Sequence, residues 1–361
     1  MKTKALKNYL LNEPPVSAKT LYDILNNCSR SFKIFCILYT AMNIGMFDSL
    51  STPRTVDELC EKLGIDPNIT SNVCKVLADL GLIEEKNGFY KNTEISNLYL
   101  RTTSPLCQYH VFKNLKNGFK LWEKLEDILK NGPIIMGEEK FFQDHIHSHA
   151  SEALCGELQR TVNIIAEIPE FKRARKLLDL GGGHGLYAIA FTMLNQDLKA
   201  YVYDFPDVIE DAKIYIKKFN ADRVKFIPGN FFTDDIGDGY DIVFFSYNPG
   251  GKNPSLVPKI HTSLNDKGLF INKHAFYHKE ELSKNPLLDI EWNLVAFSGV
   301  KKGKKIYSFE GDLTFEEYIK LLEKYFSIIK IIDALDFANP HLSKLGDALD
   351  SKIIIAKKIA S

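Results

Sequence analysis

From Phe32 to Phe47, residues Phe32, Phe35, Cys36, Leu38, Tyr39, Met42 and Phe47 recur at helical spacing, predicting a helix with an unusually wide apolar face. Such a helix needs cover on more than one side, from its own domain or from a partner chain. Thr55 followed by Glu58 is a capping-box start, and Gly64 supplies the left-handed stop of that helix. Asn68 to Leu80 predicts a second helix with Val73, Val76, Leu77 and Leu80 inward, ended by Gly81. LIEEKNGFYKN then predicts a hairpin turning at Asn87-Gly88. Leu115 to Ile168 reads as helical, with a loop at Asn131-Gly132-Pro133. Beyond it, short apolar runs alternate with helices. Strands are predicted at 176–180, 200–203 and 268–273, and helices at 186–194 and 289–297.

The 361 residues therefore divide into three stretches. Residues 1–105 are mostly α and follow a winged-helix order: helix, turn, helix, two-stranded wing. Residues 106–170 read as a helical connector contributing to a substrate pocket. Residues 171–361 read as an α/β, Rossmann-like doubly wound domain. A winged helix suggests DNA binding, but residues 1–105 hold 12 Lys and Arg against 11 Asp and Glu. The second helix offers one base, Lys75, offset by Asp79. A DNA reader neutralises several phosphates, so a dimerisation module and no nucleic-acid partner are expected.

Charge over the whole chain balances, with 46 basic and 46 acidic residues, which gives no footprint for a polyanion binder. Six cysteines are scattered without a CxxC pair, so neither a disulfide framework nor a zinc site is indicated. The basic start is cut by Asn12, Glu13 and two prolines, too early for a signal peptide. The apolar segment 32–47 contains Lys33, Thr40 and Asn43 and falls short of the roughly 20 residues of a membrane span. A soluble, cytoplasmic protein with no membrane partner is expected. His145 and His149 share a helix face, but no carboxylate or Cys stands at a matching spacing. They read as a solvated or substrate-lining face, with no metal.

The chemistry concentrates between Lys176 and Ala212. A strand ending in Asp179-Leu180 runs into Gly181-Gly182-Gly183-His184-Gly185 and then a helix. Glycines let a ligand approach the backbone, and the helix aims its positive end at it. A second strand ends at Asp204, 25 residues after Asp179, where nucleotide binders place the acid that accepts from ribose hydroxyls. The dinucleotide pattern G-x-G-x-x-G fails, because its sixth position is Leu186 or Ala188.

The observed D-x-G-G-G-x-G instead resembles motif I of class I S-adenosylmethionine-dependent methyltransferases. Asp204-Phe205-Pro206-Asp207-Val208-Ile209 is similar to the D-L-P-x-V-I segment of the plant-type and hydroxyindole O-methyltransferases, and Gly229-Asn230-Phe231-Phe232 to their G-D-F-F. Tyr240 to Ser246 matches their fourth strand, and that family also begins with a winged-helix dimerisation domain. The resemblance implies S-adenosyl-L-methionine as cofactor and a homodimer. It places Gly181, Gly183 and Gly185, after Asp179, along the methionine part. It gives Asp204 the ribose, Phe205 the adenine face, and Asn230 the position of the acid that meets the adenine amino group. Phe231 and Ser246 complete that set.

The pattern breaks after the fourth strand. Where the family carries L-H-D-W with a general-base His, this chain has Ser246-Tyr247-Asn248-Pro249-Gly250-Gly251. Tyr247 and Asn248 occupy the catalytic segment, and His274, at the end of the fifth strand, is the candidate substitute base. His145, Trp292, Asn293 and Phe297 are the candidate acceptor contacts. The expected reaction is in-line methyl transfer to a small aromatic or conjugated acceptor, with O-methylation favoured. The alternatives are a relative that binds the cofactor without transferring methyl (hydroxylase-like or inactive) and a winged-helix transcriptional regulator.

Overall fold

The computed structural model describes residues 10–333 and 351–359, and the chain divides after Tyr109 into two compact units. In the first, α1 (Lys19–Asn43) precedes α2 (Met46–Ser49), α3 (Val56–Leu63) and α4 (Pro67–Asp79); the hairpin β1 (Ile83–Lys86) and β2 (Phe89–Asn92) leads to α5 (Glu94–Tyr99). The helix predicted from Phe32 begins earlier, at Lys19, and stops at Asn43. Gly45, at φ 74°, breaks it before α2 resumes. Thr55 caps α3 by accepting from the Glu58 amide while Glu58 accepts from the Thr55 amide. Asp66 and Pro67 start α4, whose buried face is Thr70, Cys74 and Leu77. Val73, Val76 and Leu80 are only half-buried beside it. Asn87 and Gly88 both take positive φ and close the β1–β2 hairpin.

The second unit opens with α6 (Tyr109–Trp122), α7 (Leu125–Asn131), β3 (Ile134–Met136), α8 (Glu138–Ala153), α9 (Glu157–Ala166) and α10 (Pro169–Arg173). There follow β4 (Lys176–Leu180), α11 (Leu186–Leu194), β5 (Lys199–Asp204), α12 (Pro206–Phe219), β6 (Val224–Pro228) and β7 (Tyr240–Ser246). The remainder is α13 (Leu256–Ser263), β8 (Leu264–Ala275), α14 (Pro286–Asn293), β9 (Val295–Phe297), α15 (Phe315–Leu322), β10 (Phe326–Asp333) and β11 (Ser351–Lys358).

Seven strands form one sheet in the order β10-β11-β8-β7-β4-β5-β6, with β8, β7, β4, β5 and β6 parallel. Their sequences are near-continuous apolar runs because both faces are covered. Along β7, Ile242 and Phe244 join one core while Val243 and Phe245 join the other. The chain runs outward through β5 and β6, then returns to β7 on the far side of β4. This reversal puts the carboxyl ends of β4 and β7 side by side, where doubly wound sheets bind ligands.

Three further expectations, in the second unit, differ from the structure. The run 115–168 is not wholly helical, because β3 interrupts it and pairs in parallel with β9. The helix predicted over 289–297 ends at Asn293, whose side-chain amide donates to the Asp289 and Lys304 carbonyls; β9 follows. The strand predicted at 268–273 runs from Leu264 to Ala275, so His274 lies within it. The helices of the 106–170 stretch fold largely onto the second unit. Ile146 of α8 packs on Val208 and Ala212, while Leu158, Val162 and Ile165 of α9 enter the core beside Phe191.

Candidate active site

At the end of β4 the chain turns through Gly181 to Gly185. The Gly183 amide donates to Asp204 Oδ2 at 2.8 Å, and the Phe205 amide donates to Asp204 Oδ1 at 2.8 Å. Each carboxylate oxygen keeps a second lone pair, so Asp204 can accept from two adjacent hydroxyls. Gly183 sits at φ 52°, and a Cβ built on it would meet nothing within 4 Å. The turn is therefore open on the side where a ligand would lie. Burial raises the Asp204 carboxyl to about 6, against the pull of its two amide donors.

Asp179, beneath the turn, is fully buried; burial raises it to about 7, and Asp204 adds to the rise. Its Oδ2 has no hydrogen-bond partner. An orphaned buried carboxyl is an unfilled acceptor for a cationic or N–H-bearing group. Three features thus fit a cationic nucleoside: the open face at Gly183, the spare lone pairs of Asp204 and the orphan oxygen of Asp179. Phe205 is half-buried among Ile146, Val208, Ala212, Phe142 and Phe226. Asn230 spends its Oδ1 on the Phe232 amide at 2.9 Å, leaving one lone pair there. Phe231 packs into the core against Phe232 and Phe245, and Ser246 is half-buried, with its carbonyl accepting from Asn248.

The segment after β7 is a clamp. Asn248 Nδ2 donates toward the carbonyls of Leu180 (3.1 Å), Gly181 (3.0 Å) and Ser246 (2.9 Å), tying the ends of β4 and β7 together. Any Cβ on Gly181 would sit 2.5 Å from Asn248 Oδ1, so that glycine and that amide require each other. Tyr247, at φ 51°, donates to Ser351 Oγ at 2.6 Å and lies over the Lys273 ammonium at 5.1 Å. Gly250 and Gly251 are buried, and a side chain on either would collide with Leu256 or with the His274 ring. No ionisable side chain fits at those two positions.

His274 is 1% exposed. Burial, and then the Lys252 charge, lowers its imidazole to about 3. Nδ1 faces the Ala275 carbonyl at 3.0 Å and Nε2 the Asn248 carbonyl at 3.1 Å. A neutral ring has one N–H and can donate to only one of them. Behind it, Lys273 pairs with Glu157 and donates to Tyr187 at 3.0 Å, a buried ion pair linking β8 to α9.

The candidate acceptor residues meet in one aromatic cluster. Trp292 and Phe297 are buried with Val295 and Phe309 and border Phe141, Phe142 and Tyr307. A row of rings runs from Tyr247 to Tyr307 (5.9 Å) to Trp292 (5.6 Å), with Phe297 against Phe141 (5.0 Å) and Phe141 against His145 (4.4 Å). The row starts at the carboxyl end of β7. Phe142 belongs to this cluster and to the Phe205 cluster as well, so the two adjoin. Burial lowers the half-buried His145, whose Nδ1 faces the Phe141 carbonyl at 2.7 Å. Asn293 stands at the rim with its amide spent on backbone. Phe141, Phe142, Tyr307 and Lys302 escaped the sequence reading. The four-residue interval from Phe141 to His145 was the available signal for the first of them.

Among the described residues no group of three or more His, Cys, Asp or Glu could hold a metal ion, and no helix is long and apolar enough to cross a membrane.

A parallel doubly wound sheet with a glycine turn on one strand and an acid at the end of the next is the Rossmann-like arrangement that binds nucleosides. The O-methyltransferase domain family matches residues 139–247, and the O-methyltransferase dimerisation domain family matches residues 26–102. An uncharacterized protein of Methanocaldococcus jannaschii is 43% identical over 97% of this chain and 100% of its own length. Acetylserotonin O-methyltransferase of Gallus gallus is 27% identical over 59% of this chain and 67% of its own. The structure of human N-acetylserotonin methyltransferase in complex with S-adenosylmethionine superposes with a TM-score of 0.66 at 20% identity, covering 96% of this chain and 99% of that one. This chain belongs to the O-methyltransferase family with an N-terminal dimerisation domain, and it is an S-adenosylmethionine-dependent methyltransferase.

Proposed function

We propose that the enzyme methylates a small aromatic acceptor, at oxygen by preference, and works as a homodimer. The observation that carries the reading is the adjacency of two clusters through Phe142: the Gly183–Asp204–Phe205 corner, and the ring-lined cluster of Phe141, Trp292, Phe297 and Tyr307. In this reading Gly181, Gly183 and Gly185 line the methionine part of the cofactor and Asp204 takes its ribose hydroxyls. Phe205 packs on the adenine, Asn230 reaches its amino edge, and Asp179 accepts from the methionine end. S-adenosylmethionine, when bound, supplies an electrophilic methyl on a sulfonium. The protein's own work is to align an acceptor and keep water out.

The rings provide flat, dry walls for a planar molecule. His274 cannot serve as a strong base at neutral pH, since its imidazole is sealed in and binds protons weakly. Its part is to hold the Asn248 carbonyl, and through it the clamp on Gly181. Tyr247 ties β7 to β11. Proximity and orientation then carry the rate, with an acceptor that gives up its proton readily. The homodimer reading rests on α1, where Leu21, Tyr22, Ile24, Leu25 and Phe32 are exposed although apolar, and on the dimerisation family match.

The test is methyl transfer from isotopically labelled S-adenosylmethionine across a panel of phenols, hydroxyindoles and quinols. An O-methylated ring product together with S-adenosylhomocysteine supports the proposal. Transfer only to amines or thiols, or only to aliphatic acceptors, contradicts it.

A further inference from the structure

Among the described residues, Lys302 in the acceptor cluster has no carboxylate to neutralise its charge. Lys302 Nζ lies 3.9 Å from the centroid of the Trp292 ring, 4.7 Å from Phe297 and 5.8 Å from Phe141. It donates to the Trp292 carbonyl and, at 2.8 Å, to the Val295 carbonyl. Two of its three protons are thereby spent, and among the described residues no carboxylate comes within ion-pair distance of it. Three lysines nearby have carboxylate partners, whereas Lys305, which donates to the Glu281 carbonyl and lies over Tyr277, has none among the described residues. Lys301 pairs with Glu310, Lys252 with Asp312, and Lys284 with Glu281. A cation withdrawn from water without a counter-ion is costly, even over aromatic faces. Burial accordingly lowers its ammonium to about 8.

The surrounding loop is built to hold this lysine in place. Lys302 bridges Phe309 across a turn in which Gly303 donates to the Ser308 carbonyl at 2.7 Å, and the Trp292 indole donates to the Gly303 carbonyl at 3.2 Å. The Tyr277 hydroxyl pins Ile306 at 2.9 Å. A lysine wanted only for solubility would extend into water; this one is turned inward against the rings that the acceptor reading assigns to substrate.

We propose that Lys302 is the anchor for an acidic acceptor: an aromatic ring bearing a carboxylate, which accepts a hydrogen bond from the third ammonium N–H while the ring stacks in the cage. This rests on the reading of the cluster as the acceptor pocket. It adds a chemical class that the pocket's shape alone does not give. The third hydrogen bond would be charge-assisted, the stronger kind, and would complete the lysine's donor set.

The experiment uses the full-length protein loaded with S-adenosylhomocysteine and pairs of ring acids and their methyl esters, such as 4-hydroxycinnamate against methyl 4-hydroxycinnamate and hydroxybenzoates against their esters. Binding is read by calorimetry, and turnover by labelled methyl transfer. The wild type is expected to bind the acids at least about 10-fold more tightly than the esters. Lys302→Met, which keeps the stem in the cage, should erase that preference, and Lys302→Arg should retain it. Cofactor affinity should be unchanged in both, which shows that they fold. Equal binding of acids and esters by the wild type, a preference that survives Lys302→Met, or no saturable binding of any ring acid overturns the inference. The parent reading fails separately, if the wild type methylates no ring, acid or ester.

Discussion

The Gly183 amide and the Asp204 carboxylate are joined by a 2.8 Å hydrogen bond across 21 positions of chain, so the glycine turn and the acid at the end of β5 form one mechanical unit. Asp204→Asn keeps the shape but exchanges one oxygen for a donor facing the Gly183 or Phe205 amide. Cofactor affinity should fall by about 1–3 kcal/mol, the worth of a charged acceptor in a buried hydrogen bond. Gly183→Val projects a branched side chain into the open face from a φ that only glycine adopts easily, and should abolish binding while leaving the sheet folded. Calorimetric titration with S-adenosylhomocysteine, alongside circular dichroism, checks both. Wild-type affinity in either variant would remove the turn from the cofactor site.

In the proposed site, Asp204 and Asp179 should make cofactor binding depend on pH. Burial raises Asp204 to about 6 and Asp179 to about 7, from an ordinary carboxyl value of 3.8. A group whose folded value is raised contributes stability that is full below its ordinary value and lost as pH rises through the folded one. The ligand-free protein should therefore lose stability from these groups between about pH 4 and 7. The hydroxyl donors of a nucleoside prefer the ionised form, so affinity should rise over pH 5 to 7. Titrations across that range should show the rise in the wild type and a weaker one in Asp204→Asn. A flat or falling wild-type profile contradicts the assignment.

Asn248 is a strut between strand ends and carries no proton for the reaction. Asn248→Ala leaves the carbonyls of Leu180, Gly181 and Ser246 without their shared donor and should cost about 1–3 kcal/mol in urea unfolding. Asn248→Asp should be worse, because a carboxylate would face three carbonyl oxygens. Full stability in the Asp variant would show that the clamp is not made.

For His274 the burial argument has a clear sign. Its folded value of about 3, against 6.5 in open chain, means stability present above 6.5 and lost as pH falls toward 3. His274→Gln removes the titration, so the variant should lose less stability on acidification than the wild type. Turnover should drop by less than the 10²–10⁴-fold that removing a general base costs. A larger loss with unchanged stability would restore the imidazole to the chemistry.

Leu25→Asp with Phe32→Asp places two charges on the exposed apolar face of α1. Light scattering should show the wild type as a dimer and this variant as a folded monomer. A monomeric wild type would leave that face without the partner copy assigned to it.

The strand, turn and helix from 176 to 194 were legible because every cue is local: an apolar run, a glycine cluster and a second apolar run. The Thr55–Glu58 box and the Asn87-Gly88 turn were legible for the same reason. β3 and β9 were not, since three residues carry no period and their pairing joins Ile134 to Val295 across the chain. His274 could be placed at a strand end but not inside a sealed one, because burial depends on what Gly251 and Lys252 bring against it. The Lys273–Glu157 pair and the cage around Lys302 are properties of tertiary packing, and isolated lysines in the sequence gave no sign of them.

The most direct measurement is a calorimetric titration of the full-length wild type with S-adenosylmethionine, S-adenosylhomocysteine and NAD in parallel. One saturable site per chain for the two sulfur nucleosides, none for the dinucleotide, and loss of that site in Gly183→Val is the predicted result. Silence toward both sulfur nucleosides, or preference for the pyrophosphate-linked ligand, would contradict it.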